Sequence, residues 1–455
     1  MENPSILQYS KFVYGQTVLH PLALACALIA GLLIILLPRR YAIAPILAAA
    51  VFISMQQQIV VASLDFNMLR ILVVFGWIRL VLRSEFQGLQ LNAIDKGLII
   101  WVVVRTVCYT LLWQTSDAFI NRLGEAFDVL GIFFLIRFLI RDLQEIEYVI
   151  KTLAVICVPL AIAMLIEWST GKNAFAVFGG VPELTVVRDD RLRCQGAFKH
   201  PIMAGTFAAS LLPLFLALWR QNKEKGKGLA IIGAIAATIV TASTASSGPA
   251  LTYLAGIAAL CLWRARKLLP ALLWATACAV LALQIFMKAP IWALLARFNV
   301  FGASTGYHRY YLFDQFIRRF QEWWLIGTKS TAKWGYFLFD ITNQYVQIGV
   351  SGGLISLGLF LMVIMLCFTG LRKAIHAMEG QRGAQLYFWA LGASLFSHVV
   401  SFMGVSYFDQ IILVWYMLLA MIATANGLAA RKIQETSALD ENLASEGLSQ
   451  RQFAF

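Results

Sequence analysis

Charge is what this chain has least of. Only 13% of its 455 residues are Asp, Glu, Lys or Arg, against 60% hydrophobic residues, and its mean hydropathy is +0.73. That balance excludes a soluble globular fold, whose apolar share runs nearer half. Acids are the scarcer sign: 24 Asp and Glu against 37 Lys and Arg leave a formal net charge of +13. In a soluble protein such an excess would point to nucleic acid. Here much of it serves as an orientation signal and as attraction to anionic lipid headgroups, so no nucleic-acid partner is expected. The five histidines are scattered and no Cys/His cluster has zinc spacing, so neither a metal nor another cofactor is expected. Of seven cysteines only Cys194 lies in a loop on the outer side, which excludes a disulfide framework there. No internal repeat is evident, which speaks against the paired halves of many transporters.

What the chain has is apolar runs. Stretches of about 17 to 25 residues, enough to cross roughly 30 Å of hydrocarbon, recur from near residue 17 to residue 427. The expectation is an all-α, polytopic transmembrane helical bundle of about twelve or thirteen spans, a single membrane domain over residues 1–430. Residues 431–455 are polar and charged and read as a mobile cytoplasmic tail. Orientation follows from basic residues in short loops. Arg39/Arg40, Arg137/Arg141, Arg264/Arg266/Lys267 and Arg372/Lys373/Arg382 alternate with loops that carry none, so the first set is read as cytoplasmic. Two longer loops, about 168–200 and 288–340, then fall outside.

Those two loops carry the candidate chemistry. In the first, Arg188, Arg191, Arg193 and Lys199 lead into His200-Pro201 at the mouth of a new span. Cations beside a helix start make a plausible phosphate seat, while snorkelling to headgroups or pairing with Asp189/Asp190 is the plainer alternative. In the second, Leu312, Phe313, Phe316, Phe320, Trp323 and Trp324 recur at helical spacing against His308, Arg309, Arg318, Arg319 and Glu322. That pattern predicts an amphipathic interfacial helix whose aromatic face can anchor in the membrane or stack on sugars, with Arg309 or Arg318 able to grip phosphate bidentately. Downstream, Asp340, Asn343/Gln344 and Gln347, about one helical turn apart, form a polar seam at the start of a span, directed towards a cavity. Within the membrane, Arg105 and the trio Arg122, Glu125 and Asp128 read either as an ion-pair network between helices or as an ion pathway.

Taken together, these segments resemble the O-antigen ligase and O-antigen polymerase superfamily of bacterial membrane glycosyltransferases. The resemblance is carried by Arg193 to Gly205, by the Ser/Thr-rich bend Thr241 to Gly248, by Arg309 to Gly327 and by Thr342-Asn343 to Gly353, in that order, and it spans roughly residues 20 to 430. It implies a GT-C-like architecture in the bacterial inner membrane with a large extracytoplasmic loop over a cavity. An undecaprenyl-pyrophosphate-linked glycan would be transferred there to an acceptor glycan with inversion and without a metal. A flippase and a chain-length regulator are candidate partners. Arg193 and Arg309 map onto the pyrophosphate-gripping arginines, with Arg191 and Arg318 in reserve. Ligases of this group carry a histidine where this chain has Thr342, so the resemblance leans towards a polymerase of surface-polysaccharide repeat units. Asp340 then becomes the candidate base, with His308 and Glu322 behind it, and His200, Thr342, Asn343, Gln347 and Trp323 line the cavity. A ligase acting on lipid A-core, a lipid-linked oligosaccharide flippase and a non-catalytic export component are the competing readings.

Overall fold

The computed structural model describes residues 17–61, 64–221, 226–297 and 305–452. Sixteen helices account for most of them: α1 (Pro21–Leu36), α2 (Ile43–Phe52), α3 (Met68–Leu82), α4 (Ala93–Trp113), α5 (Ser116–Ala126), α6 (Ile132–Leu139), α7 (Leu143–Thr170), α8 (Pro201–Gln221), α9 (Lys227–Ser243), α10 (Ser247–Cys261), α11 (Leu269–Phe286), α12 (Thr305–Arg318), α13 (Phe320–Trp323), α14 (Gln344–Ala377), α15 (Arg382–Ser401) and α16 (Ile411–Gln452). Two antiparallel hairpins interrupt them, β1 (Gln58–Val61) with β2 (Leu64–Asn67), and β3 (Val186–Arg188) with β4 (Arg191–Arg193).

Six of the described helices are long and apolar enough to cross a membrane: α4, α7, α8, α11, α14 and α16. The chain is an all-α, multi-pass membrane protein. The other expected spans fall on shorter apolar helices, α1, α9 and α10, or on less apolar ones such as α15. The polar segment after residue 430 continues α16 as far as Gln452 instead of leaving the helix.

Helix α8 and the apolar part of α16 lie at the centre, with 83% and 78% of their most apolar windows buried, whereas α11 buries none of its window and stands apart. Around that centre α9 packs on α7 and α8, α10 and α15 on α8, and α14 on α4 and α16. Local signals start these helices where they start. Asn92 and Asp95 form a capping box on α4, Asp142 caps α7, and Gly171 ends α7 in the left-handed region that glycine tolerates.

Helix α14 is broken at Gly353, where φ is +73°. The break frees backbone groups, and the segment after α13 takes them up: the Thr328 amide donates to the Val350 carbonyl at 2.8 Å, and the Leu354 amide donates to the Trp324 carbonyl at 2.7 Å. A side chain at Gly353 would collide with the Leu325 carbonyl. The long loop is thus stapled to the span that follows it, and it has its own small core of Leu312, Phe316, Trp323, Trp334, Leu338, Val346 and Val350.

Candidate functional site

At one end of the bundle the first turns of α8, α10, α14 and α16 meet. Their approach is fixed by short hydrogen bonds between the preceding segments. The Lys199 amide donates to Asp409 Oδ2 at 2.6 Å, the Gln410 side chain to the Ala197 carbonyl at 2.9 Å, and the Gln344 amide to the Phe402 carbonyl at 2.9 Å. Four helix N-termini on one end bring together the positive ends of four macrodipoles. The first turn of α10 has no side-chain cap.

Over α10 stand two of the arginines that the sequence singles out. The β3–β4 hairpin turns at Asp189-Asp190, both at positive φ, and sets Val186 opposite Arg193 and Arg188 opposite Arg191. Arg193 is buried and donates from Nη2 to Ser246 Oγ at 2.6 Å, the residue immediately before α10. Arg309, the fifth residue of α12, lies against two glycines: a Cβ at Gly404 would stand 3.4 Å from its Cζ, and one at Gly248 would stand 3.9 Å from its Nη2. The two glycines let the guanidinium reach the backbone. Arg309 is half-buried, and among the described residues it has neither a hydrogen bond nor an acidic partner. Burial, and behind it the charge of Arg188, lowers its pKa, yet a guanidinium stays protonated at neutral pH.

His200 precedes α8 and accepts the Ile202 amide on Nδ1 at 3.1 Å. Burial first, then Arg193 and Arg188, push this imidazole down to about 4, so it is neutral at pH 7. His308 and Asp340 are neighbours, with the His308 Nε2 3.1 Å from the Asp340 carbonyl, while the Asp340 carboxylate faces solvent. Thr342 is half-buried with its Oγ1 sealed and without a partner among the described residues, and Gln347, on α14, is half-buried.

Several candidates have other work. Asn343 is buried and caps α14, accepting the Tyr345 and Val346 amides and donating to the Met403 carbonyl, so it orders the helix start and does not face a ligand. Trp323 is buried and stacked on Phe316 at 3.9 Å, inside the loop's own core, which removes it from any sugar-stacking surface. The aromatic rings that do face outward include Tyr307, Trp324, Tyr336, Phe337 and Phe339. Glu322 is held by Trp334 Nε1 and Arg319 Nη1, each at 2.9 Å, and these contacts, Trp334 foremost, lower its pKa and suit a structural pin better than a base. Arg318 pairs with Asp314 at 2.7 Å, and Arg191 is exposed on the hairpin.

The intramembrane charges form an ion-pair network. Glu125 binds both Arg105, at 3.3 Å, and Arg122, whose guanidinium also sits 3.6 Å from the Tyr109 ring centre. Asp128 turns away from them to a bidentate pair with Arg70 of α3, 2.7 Å at each contact. The turn has a cause: a π-helical stretch, Phe127–Gly131, shifts the register between α5 and α6.

One acid at the site was not anticipated. Asp409, at φ +67°, is half-buried, its Oδ2 accepts the Lys199 amide, and its Oδ1 has lost solvent without gaining a partner among the described residues. Burial pushes this carboxyl up to about 7, against the smaller opposing pull of the Lys199 amide, the Lys199 charge and the Gln410 amide. The one signal in the sequence was a lone acid in a short loop between two apolar runs.

The class defined by these observations is a multi-pass α-helical membrane protein, with Arg193 and Arg309 gathered at one helix start. Beyond that class, no family model matches the chain, and no curated protein matches it significantly.

Proposed function

We propose that the protein is an inverting membrane glycosyltransferase of the bacterial inner membrane, GT-C-like in architecture. It takes a glycan from undecaprenyl pyrophosphate on the extracytoplasmic side and passes it to an acceptor glycan, polymerising surface-polysaccharide repeat units. The observation that carries this reading is Arg309, a half-buried cation without an acidic partner among the described residues, at the same uncapped start of α10 to which Arg193 is bonded. A desolvated charge left in this state is costly unless a ligand of opposite sign visits it. Guanidinium forks and backbone N–H groups are the donors that suit a pyrophosphate.

In this mechanism Arg309 and Arg193 neutralise the charge that develops as the anomeric carbon parts from the pyrophosphate oxygen. The attacking hydroxyl approaches from the opposite face and gives its proton to a carboxylate. Asp409 suits that role better than Asp340, because Asp409 is half-buried in the loop whose Gly404 touches Arg309, whereas Asp340 is exposed. His200, neutral at pH 7 with Nδ1 accepting the Ile202 amide, keeps an Nε2–H that can donate to the phosphate without adding charge.

The test is an assay of purified protein with an undecaprenyl-pyrophosphate repeat unit, resolving glycan by gel and following lipid pyrophosphate release. A growing ladder without added acceptor supports the polymerase. Transfer only after lipid A-core or another acceptor is supplied would make the protein a ligase. No release with any acceptor would overturn the reading and favour lipid-linked glycan transport.

A further inference from the structure

The end of the bundle away from the arginine site has a cationic feature that the glycosyltransfer reading leaves unused. Helix α14 starts at Gln344 beside that site and runs past its break to Ala377, packed along α16. Arg372 lies about 19 residues beyond Gly353, roughly 28 Å along the helix, which is close to the thickness of the hydrocarbon. At that level a groove of about 510 Å³ lies between the two helices, lined by Thr369, Arg372, Lys373, His376 and Ala377 of α14 and by Ile433 of α16.

The groove is built to receive negative charge. Thr369 has spent its hydroxyl on the Met365 carbonyl at 2.9 Å, and among the described residues no carboxylate lines the wall. Arg372 and Lys373 are exposed, and their side chains make no hydrogen bond or ion pair among the described residues. Arg431 and Lys432 directly precede Ile433 and add to the positive field, while the nearest acids in sequence, Glu379 and Glu435, stand outside the groove wall. Four Lys and Arg gathered where two spans end attract an anion.

The apolar surface around the cations says which anion. The same face of α14 continues back into the membrane through Phe368, Met365 and Leu361, three exposed apolar side chains at helical spacing. Across the groove, Ile433 is 51% exposed and is the lone large apolar residue in the run 431–437. A bare phosphate would leave most of the groove empty, since its volume is many times the roughly 30 Å³ that one water takes. An acidic peptide could meet the cations but could not follow the stripe into hydrocarbon, where unpaired backbone groups are excluded. A phospholipid satisfies both parts, with its phosphate on the guanidinium and ammonium groups and an acyl chain along the stripe. A net negative headgroup suits the groove better than a zwitterionic one, whose own ammonium would be repelled by the surrounding cations.

We propose that this groove holds one anionic phospholipid, its phosphate on Arg372 and Lys373 and its glycerol backbone against Ile433, so that the lipid bridges α14 and α16. The proposal does not depend on the glycosyltransfer reading.

The experiment is native mass spectrometry of the full chain in detergent, titrated with phosphatidylglycerol, with phosphatidylcholine of the same acyl chains, and with inorganic phosphate. One phosphatidylglycerol should stay bound at concentrations where phosphatidylcholine does not. Its affinity should fall about 10- to 30-fold in the double variant Arg372→Gln/Lys373→Gln. Ile433→Asp keeps both cations and sets a carboxylate on the opposite wall, and it should weaken binding as well. All three positions are exposed, and variants on two helices separate loss of the site from misfolding of one variant. Arg264→Gln/Lys267→Gln removes two equally exposed cations outside the groove and should leave binding unchanged. Equal retention of the two lipids, binding that survives both groove variants, or the same loss in the Arg264/Lys267 pair would each overturn the proposal. Displacement of phosphatidylglycerol by inorganic phosphate at comparable concentration would assign the groove to the free anion and overturn the lipid.

Discussion

Arg309 and Arg137 are both shielded arginines, and truncating them should have opposite consequences. Arg137 is 5% exposed and makes two bonds to the fully buried Asp95, at 3.0 and 3.1 Å, and a third to Thr424 Oγ1 at 3.0 Å. Arg137→Ala would leave the Asp95 carboxylate charged and buried, which costs about 3 to 5 kcal/mol. Arg309→Ala removes no hydrogen bond and no ion pair among the described residues. It also relieves repulsion from Arg188, so the stability change should stay within about 0.5 kcal/mol of zero. Activity should divide the other way. Loss of a charged donor to the departing pyrophosphate should lower turnover about 10²- to 10³-fold. Arg309→Lys should recover part of it, since an ammonium supplies the charge and lacks the bidentate fork. Denaturant unfolding in detergent micelles, followed by tryptophan fluorescence, reads the first quantity, and lipid pyrophosphate release reads the second. An Arg309→Ala protein as unstable as Arg137→Ala, or one with full turnover, would refute the argument that Arg309 is kept for a ligand.

Burial holds the protonated form of Asp409 up to about 7, so the carboxylate available to take a proton should increase, and the rate with it, as pH rises from about 6 to 8; Asp409→Asn should lose that rise. The sign for folding is the reverse: a raised carboxyl pKa contributes stability below the ordinary carboxylate range, and this is lost as pH climbs through about 7. Gly353→Ala places a β-carbon against the Leu325 carbonyl at a positive φ, and should cost more than about 1 kcal/mol and open the Trp324 to Thr328 staple, read as faster proteolysis within residues 324–340.

The parts of this molecule that could be read from sequence are those in which neighbours along the chain share a fate. Apolar runs announced the helices, and Arg193 and Arg309 drew notice because cations clustered in loops, where the fold does bring them to one helix start. Failures arose where a residue's role depends on a distant partner. The helical stripe over residues 312–324 was correctly amphipathic, yet periodicity says which side is apolar and not what covers it, so Trp323 was offered to sugars when Phe316 and the loop's own core had already claimed it. Asn343 before an apolar run has the pattern of an N-cap, and that local rule outranks the reading of a polar seam. Arg122, Glu125 and Asp128 share a face only if the helix keeps its ordinary pitch. The π turn breaks the pitch and delivers Asp128 to Arg70, a partner 58 positions away. Asp409 was missed for the converse reason, since nothing near it in sequence is charged. The same physics makes both Asp409 and Arg309 worth testing. In a chain this poor in charge most buried ions have been given a partner, as Arg79 has Glu85, Arg137 has Asp95 and Arg70 has Asp128. Arg309, which has no acidic partner among the described residues, and Asp409, whose Oδ1 is left unbonded among them, are therefore the two groups at this end of the bundle whose complement is best sought outside the chain.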